Sequence, residues 1–343
     1  MPHTDPKPNV PLKPTMMDVA ALAGVSQATV SLVLNGNSGA RFAESTRKKV
    51  HDAAETLGYR LTNRQQGVGA GDFKVISFIA DEVATDPWMA LAFEGAREKA
   101  LEHNIYVSLT VAGSFRSAQD EVFSLHPSST LMGYIYGTIL TRQVVPPEPL
   151  FEAHSVLLNC YDKDRRLPSI VPGDLAGGRA ATERLIKAGH RRIGLINGQD
   201  GIDTTRDRLK GYKQALASND INFDPELARP GNWEPSSGYE ETINLMSLPS
   251  PPDAIFCAND MMAVGCYEAL KEMGKSIPDD VAVVGFDNRE IAAFMHPALT
   301  TFVLPHHQMG GMAVEQLIDS AGGLKSRHNQ MKVECAMIER NSV

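Results

Sequence analysis

Six side chains in the body of this chain have the chemistry to grip a small polar ligand: Asp81, Trp88, Arg206, Trp233, Asn259 and Asp287. Each follows an apolar run that reads as a strand, or lies in a loop leading into a helix. Arginine offers a fork of donors and aspartate a pair of acceptors, a combination that suits vicinal hydroxyls. Tryptophan adds a flat apolar face for the C–H side of a sugar ring. Together they suit a polyol or a sugar. Structural roles compete at three of the six: Asn259 with Asp260 also fits a helix cap, Trp233 a loop anchor, and Asp287 a tie on a turn.

A second set lies near the start, in the string TMMDVAALAGVSQATVSLVLN of residues 15–35. The spacing predicts a short helix from about 17 to 22, a break at Ala23-Gly24-Val25 and a second helix opened by Ser26. That is a helix-turn-helix, a device for seating a helix in a DNA major groove. Gly24 accepts the left-handed conformation of a tight turn, and the Ser26 hydroxyl suits a cap. Val19, Ala23, Val25, Val30 and Leu34 are spaced to bury one side, which leaves Gln27, Ala28, Ser31 and Leu32 facing out. Gln27 has the geometry to pair with adenine and Ala28 to touch a thymine methyl, whereas an apolar Leu32 offers guanine no arginine contact.

The elements that must position these residues change character along the chain. Residues 1–14 are Pro-rich and read as a disordered tail. Residues 35–42 read as a loop, and residues 44–57 as a third helix that buries Val50, Ala54 and Leu57. Residues 61–72 read as a linker, with Gly67, Gly69 and Gly71 opposing helix formation by about 1 kcal/mol each. From Phe73 strands alternate with helices: KVISFIA, IYVSLTV, MGYIYGTIL and SVLLNC, then RRIGLIN, AIFCAN and VAVVGFD as strands, with Asp174 placed to cap the helix that starts the second series. Such repeats imply doubly wound parallel sheets, which bind ligands at the carboxyl ends of their strands.

The pattern D-V-A-x-x-A-G-V-S-x-x-T-V-S-x-x-L-N closely resembles the DNA-binding head of LacI-family bacterial transcription regulators. The body resembles the same family through AGHRRIGLING, RDRLKGY, AIFCANDMMAVG, VAVVGFDN and PALTTF, in the family's order. The resemblance implies an α/β protein with an all-α helix-turn-helix head at residues 15–60 and a body at residues 73–343. It further implies two subdomains, of about 73–171 with 305–331 and about 172–303 with 332–343, joined by crossovers near Pro172, Val303 and Lys332. An effector would sit between them, with Arg206, Asn259 and Asp287 at the family's most consistent contact positions and Trp233, Asp81 and Trp88 at less consistent ones. DNA contact is implied for Thr15, Ser26, Gln27, Ala28, Thr29, Ser31, Leu32 and Asn35. Val68 falls where the family wedges a leucine from a hinge helix into the minor groove. The family usually has serine as the cap of the third helix, where this chain has Ala43. The partners implied are near-palindromic double-stranded operator DNA, a sugar-like effector and a second copy of the chain.

Composition fits this organisation. A chain of 343 residues that is 43% hydrophobic can fill two or three cores. The net charge of −8 is unevenly spread, for Arg41, Arg47, Lys48, Lys49, Arg60 and Arg64 outnumber the acids Asp18, Glu44, Asp52 and Glu55 near the head. An acidic body behind a basic head disfavours indiscriminate coating of DNA. Cys160, Cys257, Cys266 and Cys335 are scattered in apolar runs and read as reduced core residues. Neither a long apolar span nor a secretory leader is evident, so a cytoplasmic location without membrane contact is expected. No metal or cofactor is expected: His306-His307 would need converging partners, His190 fits a helix end, and GDLAGG lacks the order of a dinucleotide loop.

Three functions compete: a ligand-responsive transcription factor, a free sugar-binding protein of the periplasmic type, and an α/β enzyme acting on a sugar. The first accounts for both ends of the chain. The second leaves the helix-turn-helix idle, and the third requires an acid, a base and a nucleophile that the sequence does not offer.

Overall fold

The computed structural model describes residues 16–25, 29, 30, 33, 44–57, 73–112, 122–324 and 329–343. These fall in two compact units, divided between Gly69 and Ala70.

In the first unit a helix spans Met16–Ala23 and another Glu44–Thr56, with Thr29, Val30 and Val33 also helical. Gly24 takes a φ of +66°, and the Val25 N–H returns to the Ala20 carbonyl at 3.1 Å, which ends the first helix in a turn that β-carbon sterics would oppose. Val19, Ala20, Ala23, Val30, Val33, Val50, Ala53 and Ala54 form one small core, with Val25 and Leu57 against it. The period of this set, rather than any single residue, is what holds the described helical segments together. The tail, Leu34, Ala43, the linker and Val68 lie outside the described residues.

The second unit is built on two parallel sheets. The first has six strands in the order β11-β5-β4-β3-β1-β2: β1 Lys74–Ala80, β2 Ile105–Val111, β3 Leu131–Val144, β4 Ser155–Asp162, β5 Ser169–Pro172 and β11 Gln330–Val333. The second has four, in the order β7-β6-β8-β9: β6 Ile193–Ile196, β7 Ala228–Arg229, β8 Ala254–Cys257 and β9 Ala282–Val284. A short antiparallel pair, β10 Thr301–Phe302 with β12 Met337–Ile338, lies beyond β9, bridged to it through Val284 and Thr300.

Both faces of the inner strands are covered, which is why those strands read as near-continuous apolar runs, whereas the edge strand β2 leaves Tyr106, Leu109 and Val111 exposed. On β1, Ile76, Phe78 and Ala80 join one core while Ile79 joins another. On β8, Ile255 and Cys257 face one core while Ala254 and Phe256 face the other. The alternation is the two-residue period of a strand. The helix Trp88–Glu102 and the helix His306–Ala321 cover the first sheet, and the helices Asp174–Lys187, Asp203–Ser218, Pro235–Met246 and Asp260–Glu272 belong to the second.

The chain passes between the sheets three times. It leaves the first after β5, returns through Val303 to Pro305 into the helix His306–Ala321, and leaves again after β11. Lys332 and Val333 still pair with Val171 and Pro172, so the last passage follows Val333. Among the described residues no helix is long and apolar enough to cross a membrane.

Candidate functional site

The carboxyl ends of β1, β3 and β4 face those of β6, β8 and β9 across a cavity of about 280 Å³. That is the small end of the range for ligand pockets, roughly 300–1,000 Å³. Residues from both sheets line it, so its shape depends on how the two are held.

Arg208 is the deepest charge. It projects from the helix Asp203–Ser218 and donates through Nε to Asp174 Oδ1 at 2.9 Å, with Nη2 at 2.8 Å from the same oxygen. Its Nη1 donates to the Ala258 carbonyl, and the guanidinium lies 3.7 Å from the centre of the Phe286 ring. Thr204 adds a hydrogen bond to Asp174 Oδ2 at 3.2 Å. An arginine this dry is tolerable because its fork is met on every side.

Asp287 stands beside it under strain. Its φ is +112°, a conformation that non-glycine residues rarely adopt, and it is held there by its N–H to Phe302 O at 2.7 Å. Its two oxygens lie 3.9 Å from Arg208 Nη1 and 3.9 Å from Arg289 Nε, which are charge-pair distances rather than hydrogen bonds. Burial pushes its carboxyl well above the ordinary range, against the pull of Arg208. Behind it, buried Asp260 is pushed up to about 7 although it accepts from Thr301 Oγ1 at 2.6 Å and from the Arg289 N–H at 2.7 Å.

Arg289 reaches over the cavity from the second sheet to Asp86 on the first, and its guanidinium sits 5.2 Å from the Trp88 ring. The same ring stacks on His306 at 5.5 Å and 26°. His306 is 2% exposed, and neither of its ring nitrogens has a partner among the described residues. Burial, aided by the positive Arg208, pushes it down to about 3.

On the other wall Trp233 has a φ of +71° and an indole Nε1 that is buried and unpartnered among the described residues. A β-carbon on Gly198 would lie 1.9 Å from its ring, so the indole occupies the space that a side chain at 198 would need. The Trp233 carbonyl accepts from Asn259 Nδ2 at 2.9 Å, while Asn259 Oδ1 accepts from the Met262 N–H at 2.8 Å. Asn259 therefore lines the cavity and caps the helix Asp260–Glu272 at once, and its amide anchors the tryptophan.

Of the six residues expected from the sequence, Trp88, Trp233, Asn259 and Asp287 line the cavity. The other two do not. Arg206 is 64% exposed and pairs with Asp203 at 2.8 Å and Asp207 at 3.3 Å, and Arg208 takes the interior position in its place. Two residues along a helix turn a side chain by about 200°, so only one of the pair could face inward. Asp81 sits at the end of β1 with its oxygens on the Ile139 N–H at 3.0 Å and Arg142 at 2.8 Å, a tie between strands.

Besides Arg208, other contributors escaped the sequence reading. Asp174, expected as a cap, is instead the first residue of its helix and the partner of Arg208. Asn159 is held at a φ of +56° by Thr138, Ile139 and Thr141. Asp86 and Arg289 are joined across 203 residues of sequence, and no local signal could pair them. Of the two histidines after Pro305, His306 enters the cavity, whereas His307 is exposed beside Glu98 at 3.2 Å.

On the DNA side Thr29 is helical and half-buried. Thr15, Ser26, Gln27, Ala28, Ser31, Leu32 and Asn35 lie outside the described residues. All four cysteines are buried and unbridged, and burial pushes the Cys160 and Cys335 thiols up to about 12.

Comparison with known proteins gives matches to both units. Residues 15–61 match the profile of "Bacterial regulatory proteins, lacI family", and residues 182–343 that of "Periplasmic binding protein-like domain". The chain is 29% identical over 333 residues to the HTH-type transcriptional repressor CytR of Escherichia coli K12, covering 96% of each. It is 28% identical to the ribose operon repressor of Haemophilus influenzae, covering 96% of this chain and 98% of that one. Among solved structures, the transcriptional regulator CelR in complex with cellobiose is 26% identical, with a TM-score of 0.65 over 96% of this chain and 100% of that one.

Proposed function

We propose that the chain is a member of the LacI family of bacterial regulatory proteins, which its two profile matches and its similarity to named repressors support, and that its operator affinity is set by a small polyhydroxylated effector held in the cleft between the two sheets. It is a DNA-binding transcriptional regulator of the repressor type, working on operator DNA as a homodimer. Two recognition helices then enter successive major grooves of a near-palindromic site, and Gln27 and Ala28 read its bases.

One observation supports the effector reading above the others. Arg208, Asp287 and the Trp233 indole N–H come together in one cavity, and the acceptor edge of Asp287 lies 3.9 Å from either neighbouring guanidinium. Hydroxyls fit that gap, since each can bond the Asp287 carboxyl in either protonation state and accept from a guanidinium. The cavity spans two bodies joined by the three chain passages and tied across by side chains, notably Arg289 with Asp86 and Tyr161 with Asp203. A ligand that bonds both walls favours the closed arrangement by its differential affinity for it, and so alters how the two heads of a dimer are presented.

The role is regulatory rather than catalytic, in the cytoplasm where the operator lies. Relatives over nearly the whole chain are repressors by name, and Asp174, Asp86 and Arg208 are engaged with one another's kind rather than arranged as an acid and base about a nucleophile. The test is operator selection from random DNA with the full chain, followed by competition with a sugar panel. A palindromic consensus whose binding changes with one small ligand is the expected result. A folded chain that selects no DNA sequence overturns the reading.

A further inference from the structure

We propose that the cleft selects an uncharged effector, and that His306 enforces the choice by bonding one of its hydroxyls. The inference rests on the effector reading above and deepens it, from a polyhydroxylated ligand to one without carboxylate or phosphate.

The charge on the lining is the first ground. Glu82, Asp86, Asp174, Glu234 and Asp287 face the cavity against Arg208 and Arg289. Both guanidiniums already hold a carboxylate, Arg208 with Asp174 at 2.8 Å and Arg289 with Asp86. Even with Asp287 protonated, as its burial favours, acids outnumber bases. A carboxylate or phosphate on the ligand would enter a negative field and find each arginine engaged.

The second ground is independent of the first. His306 opens the helix His306–Ala321 at the passage between the sheets, is 2% exposed, and is fixed in plane by its stack on Trp88. Both ring nitrogens are buried without a partner among the described residues, although the ring lines the cavity. A neutral imidazole presents one N–H and one bare nitrogen. A hydroxyl answers either, because it both donates and accepts. An anionic oxygen only accepts, so the N–H alone can meet it and the neutral ring brings no charge to offset its own; facing the bare nitrogen, it sets lone pair against lone pair. Protonating the ring would remove that conflict, yet burial and the nearby Arg208 oppose protonation.

The test measures thermal shifts of the full chain at pH 7.5 with D-ribose, D-glucose, D-galactose, uridine, D-glucuronate and D-ribose 5-phosphate. An uncharged member should raise Tm, and its acidic or phosphorylated counterpart should not at about 100-fold higher concentration. A shift with ribose alone assigns the free sugar, and one with uridine alone a nucleoside. For the ligand so found, His306→Phe keeps the stack on Trp88 but removes both polar atoms, and should weaken binding at least about 10-fold with the unliganded Tm retained. His306→Gln, with a donor and an acceptor, should stay within about 3-fold. Binding of an anion as tight as that of its neutral counterpart overturns the charge inference while leaving the effector reading intact. Unchanged affinity in His306→Phe overturns the role of the histidine. Should that variant fail to fold, the panel on the unaltered chain still decides the charge. A panel without any shift overturns the charge inference and the effector reading together.

Discussion

Asp174 and Arg208 meet at 2.8 Å with side chains only 4% and 2% exposed, so the start of one helix is fixed to the first turns of the next by a buried ion pair. Removing one partner strands the other charge in a dry site. Arg208→Met should therefore destabilise the protein by about 3–5 kcal/mol, and Arg208→Met with Asp174→Leu should recover part of that. Arg206→Ala, two residues away and 64% exposed, should change stability by less than about 0.5 kcal/mol. Urea unfolding followed by tryptophan emission separates the two, and similar losses for both would sink the assignment of Arg208 as the interior arginine.

Gly198 and Trp233 share one space. Gly198→Ala puts a β-carbon 1.9 Å from the indole, which must then move although Asn259 holds the backbone carbonyl of Trp233. The expected cost is about 1–3 kcal/mol of overpacking, together with a red shift in emission and weaker effector binding. The chain has two tryptophans, so Trp88→Phe in the same background assigns the shift to Trp233. Unaltered emission and effector affinity in Gly198→Ala would show that the indole is not held where the cleft needs it.

The buried His306 makes stability depend on pH with a definite sign. Its folded value of about 3 lies below the ordinary 6.5, so the unfolded chain takes up the proton first. The stability it permits is complete above about pH 6.5 and is lost as pH falls toward 3. Asp260, raised to about 7, runs the other way: its folded form holds the proton longer, and stability declines as pH climbs from about 4 to about 7. The slopes oppose each other between pH 4 and 6.5, with the raised Asp287 acting in the direction of Asp260, so the parent alone separates none of them. The contrast with His306→Phe isolates one of them. Relative to its own value at pH 7.5, the variant should gain about 2 kcal/mol on the parent at pH 5. A difference between the two proteins that stays constant across this range would show that the ring is not held neutral.

The linker prediction rests on composition. Gly67 and Gly69 each oppose helix by about 1 kcal/mol, and Val68 between them falls at the family's wedge position. Gly67→Ala with Gly69→Ala should tighten operator binding by up to about 30-fold per subunit of the dimer if a hinge helix forms on DNA. Equal affinity of variant and parent on one operator at one salt concentration would leave the segment as a tether.

How much of this was legible in advance follows from which interactions are local. The sequence alone determined the head, because the period of Val19, Ala23, Val30 and Val50, the left-handed Gly24 and the spacing of the turn are all short-range properties. It also determined the parallel α/β body, since strands buried on both faces must be continuously apolar and KVISFIA or AIFCAN advertise that directly. Motif order placed Trp233, Asn259 and Asp287 at strand ends facing a cleft. Tertiary structure decided the rest. Choosing Arg208 over Arg206 required the rotation of one helix against its neighbour, and Asn259 proved to be both cap and lining because the carbonyl it anchors comes from a loop 26 residues away. Asp86 and Arg289 lie 203 residues apart in sequence. His306 read as a residue of a solvated or packed loop, with a metal role only if partners converged, and it is the second passage of the chain that carries it under Trp88. In each case the deciding quantity was the desolvation of a polar group, and burial is set by what packs on a residue from elsewhere in the fold, which no local spacing encodes.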